Sequence, residues 1–248
     1  MGILEEVRVQ AKELARGLSV KAVAVGLYYA AVLLDNSSLG LAYVLKEGLH
    51  LERTLEDYNA LVGQSAANAI DLLPSLHPVE AALGLAAVNA VANAREFEVA
   101  GFDVLDVVDV KKDDVVCVVG YIRPTVEKLR ELTSKLYVIE SYPCPDAYPW
   151  WCAFSLLPKA SVVLITASSI VNKSIGCLLK LSKKARLKVL VGASTPMLPE
   201  VFGKYGVDYL AGVKVEDPNE ALRLVAAGAS RRQLNNVARK IVVSTRSF

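Results

Sequence analysis

Two hydrophobic rhythms divide the chain. Over Gly2 to Gly17 apolar residues recur at helical spacing, which predicts an opening amphipathic helix. Val20 to Val44 then reads as a β-hairpin or meander, because KAVAVGLYYAAVLL and LGLAYVL enclose the turn-forming tetrad DNSS. Leu61 to Leu73 has helical spacing, and Pro78 with Glu80 marks the first turn of a further helix reaching about Asn93. Alanine and glycine dominate that helix, VEAALGLAAVNAVAN, so another backbone can approach it closely and its expected place is central.

From Val115 the rhythm changes to short β-branched runs separated by helical patterns. VVCVVG, LYVIE, SVVLIT, LKVLVG and VDYLAGVKV read as strands. PTVEKLRELTS, SIVNKSIGCLLKLSKKA and DPNEALRLVAAG read as the helices between and after them. These strands are apolar throughout rather than alternating, as a parallel sheet covered on both faces requires. The fold class expected is therefore α/β: a Rossmann-like parallel-sheet domain over 101–248, preceded by a smaller α+β domain over 1–100. Phe97 to Asp114, where polar residues interrupt the pattern, is the expected linker.

The 248 residues suffice for two domains, and 53% hydrophobic content with mean hydropathy +0.36 speaks against disorder. The apolar run Ala22 to Leu34 is too short to span a bilayer. MGILEEVRVQ has early acids and no basic stretch followed by an apolar core, so the expectation is a cytoplasmic protein without a membrane partner. Net charge +2 is too small for a nucleic-acid surface. The segment Ser230 to Phe248 is the local exception, with Arg231, Arg232, Arg239, Lys240 and Arg246 and no acid; it reads as a solvated terminal helix. Cys117 and Cys177 fall in apolar patterns and are expected in the core. Cys144 and Cys152 lack metal or redox spacing, and with only His50 and His77 besides, a tight structural metal site is not expected.

Polar chemistry gathers where strands end. VVGYIRP places Gly120 in a strand-to-helix turn, with Arg123 and Pro124 opening the helix, and Glu140 ends the next strand twenty positions later. A glycine turn followed by an acid at this distance is how dinucleotide folds hold phosphate and ribose, although GYIRP is not GxGxxG. The third strand runs into Thr166, Ser168, Ser169, Asn172 and Lys173, and the fourth into Gly192, Ser194 and Thr195. Converging polar strand ends form a pocket in open α/β sheets, while helix capping is the competing role for the hydroxyls. Asn172 and Asn89 sit in apolar helix faces, where an amide must find a partner. For Asn89 that partner is a backbone group or a group across the domain interface. The loop ESYPCPDAYPWWCAFSLLP, with Tyr142, Tyr148, Trp150 and Trp151, supplies a lid or pocket wall, or else packing or contact with a second copy of the chain. No Ser-His-Asp arrangement can be assembled.

In order along the chain, GLAAVNAVAN, VVGYIRP, VIESYP, VVLITASSIVNKSIGCLL and VGASTPMLPEVFGKYGVDYLAGVKVEDP resemble the "Putative heavy-metal chelation" family DUF364. VAVGLYYAAVLLDNSSLGLAYVL resembles the hairpin of its usual N-terminal companion, DUF4213. The resemblance covers nearly the whole chain. It implies an enolase-N-terminal-like α+β domain packed on a Rossmann-like domain, with the site in the cleft between them. It carries the site expectation onto Asn89, Gly120, Pro124, Glu140, Thr166, Asn172 and Ser194. Where relatives often have Gly-Pro-Ser and Thr-Gly at these strand ends, this chain has Gly192-Ala193-Ser194 and Thr166-Ala167.

Three functions compete. The first is binding of a small polar or anionic ligand in the cleft, in heavy-metal chelation or chelator metabolism, with any metal ion held together with the ligand. The second is a nucleotide-dependent enzyme using NAD or S-adenosylmethionine. The third is a non-catalytic scaffold or nucleic-acid partner acting through the basic tail.

Overall fold

The computed structural model describes residues 2–46 and 57–246. Helix α1 (Ile3–Leu14) buries Ile3, Val7 and Ala11, one residue per turn of a single face. Strands β1 (Val20–Val25), β2 (Tyr29–Leu34) and β3 (Leu39–Tyr43) form an antiparallel meander. Its second turn is the DNSS tetrad, where the Asn36 side chain accepts from the Ser38 N–H at 3.0 Å. The 61–73 stretch is not one helix. A short turn over Tyr58–Leu61 is separated by Gly63 from α2 (Ala66–Ile70), which Ser65 caps by accepting from the Ala67 N–H.

Helix α3 (Pro78–Asn93) is buried from Pro78 to Ala92 apart from Glu80. It lies against β2 and β3 on one side and α1 and α2 on others. Small residues set these distances: a Cβ on Gly40 of β3 would lie 2.0 Å from the Ala86 carbonyl, and one on Gly84 would lie 2.2 Å from the Leu73 nitrogen. The meander's other face is covered too. Ala30, Val32 and Leu34 point into the core around α3, while Tyr29, Ala31 and Leu33 point into a second core built with residues 213–238. Burial on both faces explains why β2 is apolar at every position.

Residues 97–114 carry structure of their own. Asp103 and Asp106 cap a turn over Val104–Asp106, and Gly101 bridges to Val242. The larger sheet then develops as β4 (Val116–Val119), α4 (Arg123–Leu132), β5 (Leu136–Glu140), β6 (Tyr148–Pro149), α5 (Ala153–Leu156), β7 (Val162–Thr166), α6 (Ser168–Val171), α7 (Ile175–Leu181), β8 (Leu187–Val191), α8 (Pro199–Phe202), β9 (Tyr209–Val215), α9 (Pro218–Ala226) and β10 (Ala238–Ser244). Strand order is β10-β9-β8-β7-β4-β5-β6, all parallel except β10, which pairs antiparallel with β9. This is the doubly wound order, reversing between β4 and β7.

Three expectations are corrected. The stretch 169–185 breaks into α6 and α7 because the Asn172 side chain accepts from the Ser174 N–H and hydroxyl, at 3.1 and 2.6 Å, and Lys173 turns at φ 66°. A side chain that satisfies nearby backbone in this way competes with the helix. The basic C-terminal segment is not one solvated helix: a short turn over Gln233–Asn236 leads into the edge strand β10. Its side chains find acids: Arg239 pairs with Glu216, Lys240 with Asp103 and Arg246 with Asp208. Cys117 is buried in β4, and burial pushes its thiol up to about 12, but Cys177 is exposed on α7. His50 lies outside the described residues.

Candidate functional site

The carboxyl ends of β4, β5, β7 and β8 open into a cavity of about 1330 Å³ whose far wall is formed by Tyr29, Tyr43 and Leu45 of the N-terminal part. The candidates from the strand ends line it, namely Gly120, Arg123 and Pro124 after β4, Glu140 and Tyr142 after β5, Thr166, Ser168 and Asn172 after β7, and Ser194 after β8, except Thr195, whose hydroxyl donates to the Ala211 carbonyl. Asn89 does not. It is buried inside α3, where its amide donates to the Leu41 carbonyl of β3 at 2.7 Å. Asn172 is exposed and engaged with Ser174, so the buried amide expected at that position is absent.

The β4 end is filled by the protein itself. Gly120 has φ 95°, and a Cβ there would lie 2.7 Å from the Thr166 side chain, so the glycine is required by the neighbouring strand end. Glu140 places one carboxylate oxygen 2.7 Å from the Tyr121 N–H and the other 2.6 Å from the Ser141 N–H. The N–H groups of Gly120, Ile122, Thr125 and Val126 all donate to carbonyls of residues 120–139, and Pro124 has none. A pyrophosphate would therefore meet a carboxylate and, among the described backbone donors of this turn, only the Arg123 N–H, where nucleotide folds offer several.

The β7 and β8 ends differ. The Thr166 and Ser168 hydroxyls bond each other at 3.0 Å, and neither caps a helix. Ser169 is 2% exposed, lines the cavity and has no hydrogen-bond partner for its hydroxyl among the described residues. Ser194, 3% exposed, accepts from the Tyr43 N–H at 2.8 Å and so ties β8 to the meander. Gly192, at φ 124°, has no atom within 4 Å of where its Cβ would sit.

Two cations of the wall stood in the sequence only as members of a strand-end cluster and of the basic tail. Lys173 donates to the Leu73 carbonyl at 2.5 Å, and burial draws its ammonium down to about 8. Arg231 is partly buried near Tyr29 and donates to the Asn235 side chain at 2.6 Å. Positive φ at a non-glycine is the local mark of Lys173, and it is invisible in sequence. Arg231 could not be told from the other tail cations until their acid partners were placed.

Against Asp103 and Glu140, the wall carries Arg123, Lys128, Lys173, Arg231, Arg232 and Lys240. Among the described residues no group of three His, Cys, Asp or Glu side chains converges as a metal cage. No described helix is long and apolar enough to cross a membrane.

Fold and cavity together define a Rossmann-like α/β protein with an accessory antiparallel sheet and a cation-rich cleft at the carboxyl edge. The chain belongs to the DUF364 family, described as "Putative heavy-metal chelation", whose model matches residues 103–244. DUF4213, with the same description, matches residues 8–92. An uncharacterized protein of Methanocaldococcus jannaschii is 28% identical over 256 residues, covering 96% of each chain. A crystal structure of a DUF364 protein of unknown function from Desulfitobacterium hafniense is 29% identical, covers 98% of both chains and superposes with TM-score 0.86. Another, from Pyrococcus horikoshii, is 28% identical, covers 98% of this chain and 99% of its own, with TM-score 0.86.

Proposed function

We propose that the cleft binds a small polar or anionic ligand in heavy-metal chelation or chelator metabolism, and that metal enters already held by that ligand. The excess of basic over acidic side chains around the cavity carries this reading. Such a wall attracts an anionic chelate and disfavours a bare cation. Glu140, the acid best placed to ligate, has both oxygens committed to backbone N–H groups. The donor set therefore does not fit a metal bound by protein alone, whereas carboxylates of a chelator would supply the missing oxygens.

The filled Gly120 turn weighs against NAD or S-adenosylmethionine, and the ion pairs of Arg239, Lys240 and Arg246 weigh against nucleic acid. A thermal-shift and calorimetric comparison of the full chain with iron(III) citrate, citrate, free zinc, NAD and S-adenosylmethionine tests the reading. Citrate or its iron complex should raise the melting temperature, by about 2.7 kcal/mol of stabilisation at a hundredfold excess over Kd. A response confined to bare zinc or to a nucleotide would overturn it.

A further inference from the structure

We infer that the Arg231 end of the cavity is a carboxylate subsite, in which the Arg231 guanidinium clamps a ligand carboxylate and the Ser194 hydroxyl donates to it. This rests on the reading of the cleft as an anion site and adds the group recognised and the residues that recognise it.

The placement follows from a chain of contacts. Ser194 is bonded to the Tyr43 backbone, Tyr43 stacks edge-on with Tyr29 at 5.8 Å between ring centres, and Tyr29 shares one apolar cluster with Ala193, Ala229 and Leu234, which flank Ser194 and Arg231 in the chain. All four line the one cavity, beside the open space above Gly192. Ser194 uses one lone pair to accept from Tyr43, and its hydroxyl proton is not engaged by a described acceptor.

Arg231 differs from the other cations of the wall. Lys240 has Asp103. Arg123, Lys128 and Arg232 are exposed to water. Lys173 is partly buried but can shed its proton near neutral pH. A guanidinium cannot, and the charge of Arg231 is met only by the neutral Asn235 amide among the described residues. Burial holds the Tyr29 phenol at about 12, so it stays neutral and supplies no counter-charge. A partly buried, permanently charged fork without an acid is costly to the free protein and is relieved by an incoming anion. One cation and one hydroxyl donor match the single charge and planar, two-oxygen geometry of a carboxylate better than a phosphate dianion.

The test uses benzoate, its neutral isostere benzamide, and inorganic phosphate, titrated into the full chain by NMR and calorimetry. Wild type should bind benzoate at least tenfold more tightly than benzamide or phosphate. Arg231→Met should erase that preference, and Arg231→Lys should recover only part of it. Arg231→Met should also melt no lower than wild type without ligand, since it removes an unmatched charge; this separates lost recognition from lost fold. Equal binding of benzoate and benzamide, tighter binding of phosphate, or unaltered benzoate binding by Arg231→Met would each overturn the inference. If citrate stabilises wild type and Arg231→Met alike, the cleft reading stands and this subsite alone fails.

Discussion

The turns after β4 and β8 look alike in sequence, a glycine ending an apolar strand, yet they are opposite in the structure. At Gly120 the absent side chain makes room for Thr166, and Glu140 occupies the neighbouring N–H. At Gly192 the absent side chain leaves open cavity, with Arg231 lining the same space. A glycine at a strand end thus signals close approach without saying whether protein or ligand approaches. What separates them is the fate of the surrounding donors and charges.

Alanine at the two positions tests that contrast most directly. Gly120→Ala combines a left-handed φ with a clash and should cost about 2–4 kcal/mol by urea denaturation. Gly192→Ala carries the backbone strain alone, about 1–2 kcal/mol, and should weaken benzoate or citrate binding instead. Equal stability losses would collapse the distinction. Next in size is Glu140→Ala, which strands the Tyr121 and Ser141 N–H groups and should lower stability by about 1–3 kcal/mol. If Glu140 instead awaits a ribose, the substitution would leave stability intact and abolish a thermal shift with NAD.

Lys173, after β7, sharpens the comparison through pH. Its folded value, about 8, lies below the usual 10.5, so the folded chain holds fewer protons than the unfolded chain between those values. The burial penalty is complete below pH 8 and is relieved as pH rises toward 10.5. Relative to Lys173→Met, wild type should gain roughly 1–2 kcal/mol across that window, reduced from the full linkage because the ammonium is only partly buried. Parallel pH profiles of the two proteins would show that Lys173 is solvated. Smallest of all, Lys240→Ala should change stability by under about 1 kcal/mol, since its pair with Asp103 is solvent-exposed. A larger loss in a urea melt would show that the tail does more than pair charges.

The fold was legible because parallel strands covered on both faces must be apolar throughout, and those of the larger sheet stood out from the helical spacing between them. Pro78 marked the start of α3 for an equally local reason. What escaped was decided by partners far along the chain. Nothing near Arg231 distinguishes it from Arg239, because the difference is that Glu216 reaches one and no described acid reaches the other. Asn172 misled in the opposite direction: its apolar neighbours suggested burial, but a hydroxyl two residues on turned its amide outward. The strand at the C-terminus was hidden by its charges, which on an edge strand are compatible with pairing. The amide nitrogen of Asn89 finds a backbone partner in β3, while its oxygen has none among the described residues.

Helix α3 has a further consequence. It packs against α6 as well as the meander, and the apolar cluster around it runs without interruption from Ile3 to Val243. The topological divide near residue 100 is therefore not an energetic one. Heating should produce a single calorimetric peak, with the calorimetric and van't Hoff enthalpies equal. With one core shared between its two walls, the cleft should keep the same shape with and without ligand, set when the chain folds.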